Sequence, residues 1–244
     1  MLSFTQTFIS TTLILGAGAF IFLSAGAFIG YAAGQLRSGG ELPKLPYWLF
    51  LVIGVWYGVA MATSTAGLIS LPLVLPFALI PIFVGWALSY TESVKRIIRE
   101  IPTHWLIYIQ SYRVLGGIFI FPYLTEGYLT RGFALNAGIG DVITGLLAIP
   151  TAYFIMRDGA KRWAWLFWFW TAFGILDLIV APASAGYFGF NAEGVVPGFP
   201  ITTIPLFFGP PFGILIHIIT VRNFRLRTAE ESIASHPARP AVEM

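Results

Sequence analysis

Five residues carry most of the chemistry open to this chain: Gln110, Arg113, Asp141, Asp177 and His217. Each lies inside a long apolar segment. A full charge held in hydrocarbon costs at least ~2.5–3.5 kcal/mol even on insertion scales, so such side chains turn towards a bundle interior and towards one another. Arg113 and Asp141 can form a charge-assisted pair, with Gln110 placed to take spare guanidinium hydrogens. Asp177 is then a second carboxyl with no evident basic partner, and a candidate to carry a proton. With His217 on the other side, the polar residues form a series from Asp177 through Arg113 and Asp141 to Gln110 and His217. Two readings stay open. The series is a proton or ion route, or the charge pair is a clamp that fixes two helices without moving anything.

The elements that must hold these residues follow from composition. The chain has 244 residues, 57% of them hydrophobic and 10% charged, and its mean hydropathy is +0.80. A soluble domain is about 25% charged, and a core of this size cannot hide the excess, so the apolar exterior must meet lipid. Seven apolar segments are read at 8–33, 47–66, 70–90, 103–124, 133–156, 164–187 and 201–221, each near the ~20 residues needed to span a bilayer. The short third segment contains Pro72, Pro76 and Pro81, so a re-entrant pair formed with the second is the competing arrangement there.

Orientation comes from the basic residues. Arg37 and Lys44, then Lys95, Arg96 and Arg99, then Arg157, Lys161 and Arg162, then Arg222, Arg225, Arg227 and Arg239 fall in alternate loops and the tail, leaving Arg131 on the opposite side and Arg113 within a segment. The positive-inside rule converts this pattern to N-terminus out and C-terminus in. Trp48, Trp86, Trp105, Trp163 and Trp165 fall at ends assigned to the same inner interface, the depth tryptophan prefers. The expected fold is therefore an all-α bundle of seven transmembrane helices over residues 1–223, with a disordered cytoplasmic tail over 224–244. The first 36 residues hold no Lys or Arg, so the basic start of a secretory leader is missing and the first apolar run is expected to be retained.

Small residues mark the expected helix contacts. Gly26 and Gly30 stand four apart on the first segment, a spacing that admits a close neighbour. On segment four, Gln110, Arg113, Val114 and Gly117 share one α-helical face. On segment five, Ala134, Ala137, Gly138, Asp141, Thr144, Gly145 and Ala148 make a face that is small or polar throughout. At ~1.5 Å per residue, Arg113 and Asp141 both fall near the midplane. Pro210-Pro211 would kink segment seven above His217 and free backbone carbonyls there. Thr91 to Pro102 alternates charge with Val94, Ile97 and Ile98, as a short amphipathic helix on the inner surface would.

Other classes are excluded or disfavoured by what is missing. With no cysteine there is no disulfide, thiolate metal site or covalent haem attachment. The net charge of +3 and pI near 9.3 come from dispersed clusters rather than a patch, so no nucleic-acid partner is expected. One histidine and two acids are too few for a metal-hydrolase cluster, and no G-x-S-x-G nucleophile is present. No cofactor is expected, since haem would require His104 and His217 to face one another. A retinal protein is ruled out because Lys44, Lys95 and Lys161 all lie in loops.

The words Q-S-Y-R-V-L-G-G at Gln110 to Gly117 and F-A-L-N-A-G-I-G-D-V-I-T-G at Phe133 to Gly145 resemble those of a group of uncharacterised bacterial multi-helix membrane proteins. There, a Q-x-x-R-x-x-G segment precedes F-A-x-x-A-G-x-G-D-x-x-x-G, and a late helix carries a histidine, here His217. The resemblance covers roughly residues 103–223 and departs at Thr130-Arg131-Gly132, where the group has a proline. It implies a multi-pass protein of the bacterial plasma (inner) membrane, without an activity. The expectation from the residues is a transporter or channel for protons, ions or a small solute. Its alternative is an accessory subunit of a larger membrane complex.

Overall fold

The computed structural model describes residues 47–66, 68, 71–117, 119–120, 129–189 and 209–235. Among them the regular structure is helical: α1 (Tyr47–Thr65), α2 (Leu71–Leu88), α3 (Glu92–Glu100), α4 (Thr103–Ile109) continued by a 3₁₀ segment (Gln110–Gly116), α5 (Arg131–Asp158), α6 (Ala164–Phe188) and α7 (Pro210–Ser235). Two of these, α5 and α6, are long and apolar enough to cross a membrane. Seven spans and their orientation go beyond what the described residues show. The first expected segment, with Gly26 and Gly30, lies outside them, the fourth changes helix type, and the seventh begins only at Pro210.

A shared core joins α4, α5, α6 and α7. Ile107, Ala148, Ala152, Ile155, Phe167, Trp170 and Phe224 are buried and pack together. The Phe167 and Phe224 rings lie parallel at 3.8 Å and close this core where α6 meets α7. The small face read on α5 is where the sequence puts it: Ala134, Ala137, Gly138, Thr144, Gly145 and Ala148 are all buried. Leu146, Ile149, Tyr153 and Met156 point outward. Removing β-carbons on one face lets backbones approach, and in lipid that close fit replaces the hydrophobic drive available in water.

The remaining helices are tied on through α7. Phe77 of α2 and Phe212 of α7 cover the buried Ala60 of α1. The Leu215 side chain lies over Gly85 of α2, where a β-carbon would meet it. Arg222 donates to the Ser89 carbonyl at 3.2 Å and hydroxyl at 2.6 Å, with its guanidinium 4.7 Å from the Tyr90 ring centre. The chain then turns by 81° into α3, an amphipathic helix that buries Val94 and Ile98.

Asn223 is the junction of this end. Its amide donates to the carbonyls of Ile98 (2.5 Å) and Ile101 (2.8 Å), and its oxygen accepts from the Thr103 hydroxyl. Residues 224–235, expected to be disordered, instead continue α7 to Ser235. Phe224 enters the core, Arg227 reaches the Arg99 carbonyl at 2.9 Å, and Glu231 accepts from the backbone N–H groups of Ala160 and Lys161. A polar sequence that finds partners of this kind on one face stays helical beyond its apolar part.

Candidate functional site

The helix that carries Arg113 is α-helical only as far as Ile109 and then tightens to 3₁₀ geometry over Gln110–Gly116. That change alters which residues share a face. At three residues per turn, Gln110, Arg113 and Gly116 line up. All three are buried, while Val114, on the expected α-helical face, is exposed. Gly117 makes only an ordinary contact with Val142. The close-contact glycine of this segment is its neighbour, Gly116.

Arg113, 2% exposed, binds three elements into one centre. Its Nε donates to Asp141 Oδ1 of α5 at 2.7 Å, and its Nη1 donates to the Gly174 carbonyl of α6 at 3.1 Å. Its Nη2 donates to the Asp177 carboxylate of α6. Asp177, expected from sequence to stand without a basic partner, is instead paired with the arginine. Planar guanidinium has donors on two edges and can serve two carboxylates at once. The centre therefore contains two carboxyls and one permanent cation, and is neutral overall only when the pair of carboxyls holds one proton.

Gln110 does not take the guanidinium hydrogens either. Its amide donates to the Gly213 carbonyl of α7 at 3.0 Å, and its Oε1 is buried without a hydrogen-bond partner among the described residues. His217, one turn further along α7, is fully buried with its ring 4.8 Å from that of Trp170. Among the described residues, neither His217 nitrogen has a hydrogen-bond partner. Pro210 and Pro211 do not kink the helix above it. They open α7, where the missing N–H groups are ones a first turn leaves unpaired anyway, and Gly213 N–H bonds back to the Gly209 carbonyl at 2.9 Å.

Three polar side chains of the site, Asp141, Asp177 and His217, are each seated on a glycine of another element. A β-carbon at Gly116 would overlap Asp141, one at Gly140 would overlap the Asp177 carboxylate, and one at Gly174 would come within 2.6 Å of His217 Nε2. Gly145 admits the backbone of Val114 and Gly138 the side chain of Ile120, so the contact between α5 and the 3₁₀ segment is close along its length. Sequence reasoning missed Gly116, Gly140 and Gly174 as seats. The signal was present for the last two: Gly140 precedes Asp141 directly, and Gly174 lies three residues before Asp177.

Together these features define a helical protein with two helices able to cross a membrane and a buried arginine–dicarboxylate centre that joins three elements. Over residues 68–225 the chain matches the family described as a domain of unknown function (DUF8737), and it belongs to that family. No curated protein and no solved structure matches it.

Proposed function

We propose that this chain is a seven-span protein of the plasma (inner) membrane, N-terminus out and C-terminus in. Its Arg113–Asp141–Asp177 centre exchanges a proton as ions or a small solute cross. The observation that carries this reading is the charge balance: one buried guanidinium is shared by two carboxyls on adjacent helices, Asp177 buried and Asp141 half-buried. Intramembrane ionisable groups are costly and are kept for substrate or proton pathways. Release of the odd proton would leave both carboxylates competing for one arginine and would favour a different arrangement of α5 and α6. No cofactor is part of this reading. In proteoliposomes, proton-linked flux is expected to fall to background in Asp177→Asn and Arg113→Ala. Wild-type flux in both variants would remove the centre from the pathway.

The second reading, a lock within a subunit of a larger membrane complex, is supported by a different observation. Each of the three guanidinium nitrogens of Arg113 has a partner inside the chain, and glycine seats close tightly against both carboxylates. A stable, isolated monomer after native purification would count against an obligate subunit.

A further inference from the structure

Acids at the turn from α5 to α6 are already engaged. Asp158 accepts from Arg157 at 2.9 and 2.8 Å and from the Trp163 indole at 2.8 Å. Glu231 accepts from the backbone N–H groups of Ala160 and Lys161, and Glu230 faces Arg227 at 3.5 Å. Three cations beside them are not engaged in this way. Lys161, Arg162 and Arg225 are exposed, and none is ion-paired with a carboxylate among the described residues. On α7, Arg222 and Arg227 turn to the carbonyls of Ser89 and Arg99, whereas Arg225 lies over the Trp168 ring of α6 at 5.6 Å.

The register of α6 against α7 brings the three to one level. Phe224 stacks on Phe167 at 3.8 Å, and Glu231, seven residues on, meets the backbone of Ala160, seven residues back. In that antiparallel register Arg225 stands opposite the position four residues after Arg162, an offset of ~6 Å along the axis. Trp165 lies between them, three residues from Arg162 and three from Trp168, the ring that Arg225 covers. Trp165 is 64% and Phe169 55% exposed, so the cations rim an outward apolar wall. The first turn of α6 holds no acidic residue, and its N-cap, Trp163, supplies no side-chain acceptor. Nothing in that turn offsets the positive end of the helix.

We propose that Lys161, Arg162 and Arg225 hold the head group of an anionic phospholipid, with its acyl chains along Trp165 and Phe169. The phosphate supplies the anion that the chain's own carboxylates do not, and it accepts charge-assisted hydrogen bonds from guanidinium and ammonium groups. Tryptophan favours this depth of a bilayer, and basic clusters at the ends of membrane helices select anionic head groups. Trp168 holds Arg225 in place through the attraction between a cation and a ring face. A water-soluble anion would satisfy the charges but leave the apolar wall beneath them uncovered. Of the proposed function, only the passage of α6 through the bilayer is assumed, and neither proton exchange nor orientation.

Native mass spectrometry of the full-length protein in detergent tests this, with phosphatidylglycerol and phosphatidylcholine of the same acyl chains added in equal amounts. Phosphatidylglycerol is expected to be retained several-fold more. The triple variant Lys161→Gln, Arg162→Gln, Arg225→Gln is expected to bring the two lipids close to parity. A second triple variant, Lys95→Gln, Arg96→Gln, Arg99→Gln, removes the same charge from α3 and is expected to keep most of the preference. Equal loss in both variants would overturn the site, because attraction to total charge would then suffice. Glycerol phosphate, a head without chains, is expected not to displace the lipid, and displacement would overturn the lipid in favour of a soluble anion. Retention without preference in the wild type would overturn the site alone. Retention of neither lipid would overturn the passage of α6 through the bilayer as well.

Discussion

A methyl group at position 140 would occupy the space of the Asp177 carboxylate, whereas one at Gly58 meets nothing within 4 Å. Gly140→Ala is therefore expected to destabilise the protein by roughly 1–3 kcal/mol, the usual cost of overpacking. Gly58→Ala is expected to be neutral or stabilising by up to about 1 kcal/mol through helix propensity. Thermal unfolding of both variants in the same detergent checks the pair, and equal melting temperatures would contradict the seat. At this scale the sequence disclosed the costly residues and the Arg113–Asp141 pair, but not Asp177 as the second partner of the arginine. Arg113, Asp141 and Asp177 stood out because charge is rare in apolar segments. That Asp177 reaches the arginine is a contact of α6 with the 3₁₀ turn over Gln110–Gly116, a change of helix type that no residue pattern in that stretch announces. A helix face drawn at 3.6 residues per turn includes Val114 and Gly117; at three per turn it includes Gly116.

α7 passes α2, α3 and α4 and ends against the turn between α5 and α6, holding each by a polar side chain: Arg222, Asn223, Arg227 and Glu231. Asn223 is the buried member. Asn223→Ala is expected to leave the Ile98 and Ile101 carbonyls without their amide donor and to cost about 1–3 kcal/mol. Faster amide hydrogen exchange over residues 92–103 should appear, with α5 and α6 unchanged. Wild-type exchange in that segment would show that Asn223 does not hold it. The amphipathic α3 was legible, since its charges and its Val94 and Ile98 alternate at helical spacing. The continuation of α7 was not. Its polar residues look solvated in sequence, and only the positions of Ser89, Arg99 and Lys161 in three dimensions reveal them as ties.

For the molecule as a whole, composition made an apolar helical protein readable, and α5 and α6 are two helices of the required length. The count of seven rests on segments that sequence alone delimits. Under the proposed topology, a fluorescent reporter fused after Met244 or into the loop at Lys161 is expected to light up inside the cell. Alkaline phosphatase inserted before Arg131 is expected to be active outside, and phosphatase activity from the C-terminal position would reverse the orientation. The glycine seats have a bearing on manufacture. The 3₁₀ segment offers Gly116 to Asp141, α5 offers Gly140 to Asp177, and α6 offers Gly174 to His217. Every seat precedes its occupant along the chain. Because the ribosome delivers the N-terminal side first, each of these polar helices is made after the glycine that seats its side chain. Moving α6 ahead of α5 in a permuted gene would deliver Asp177 before its seat on Gly140 exists, even though the finished set of contacts is the same.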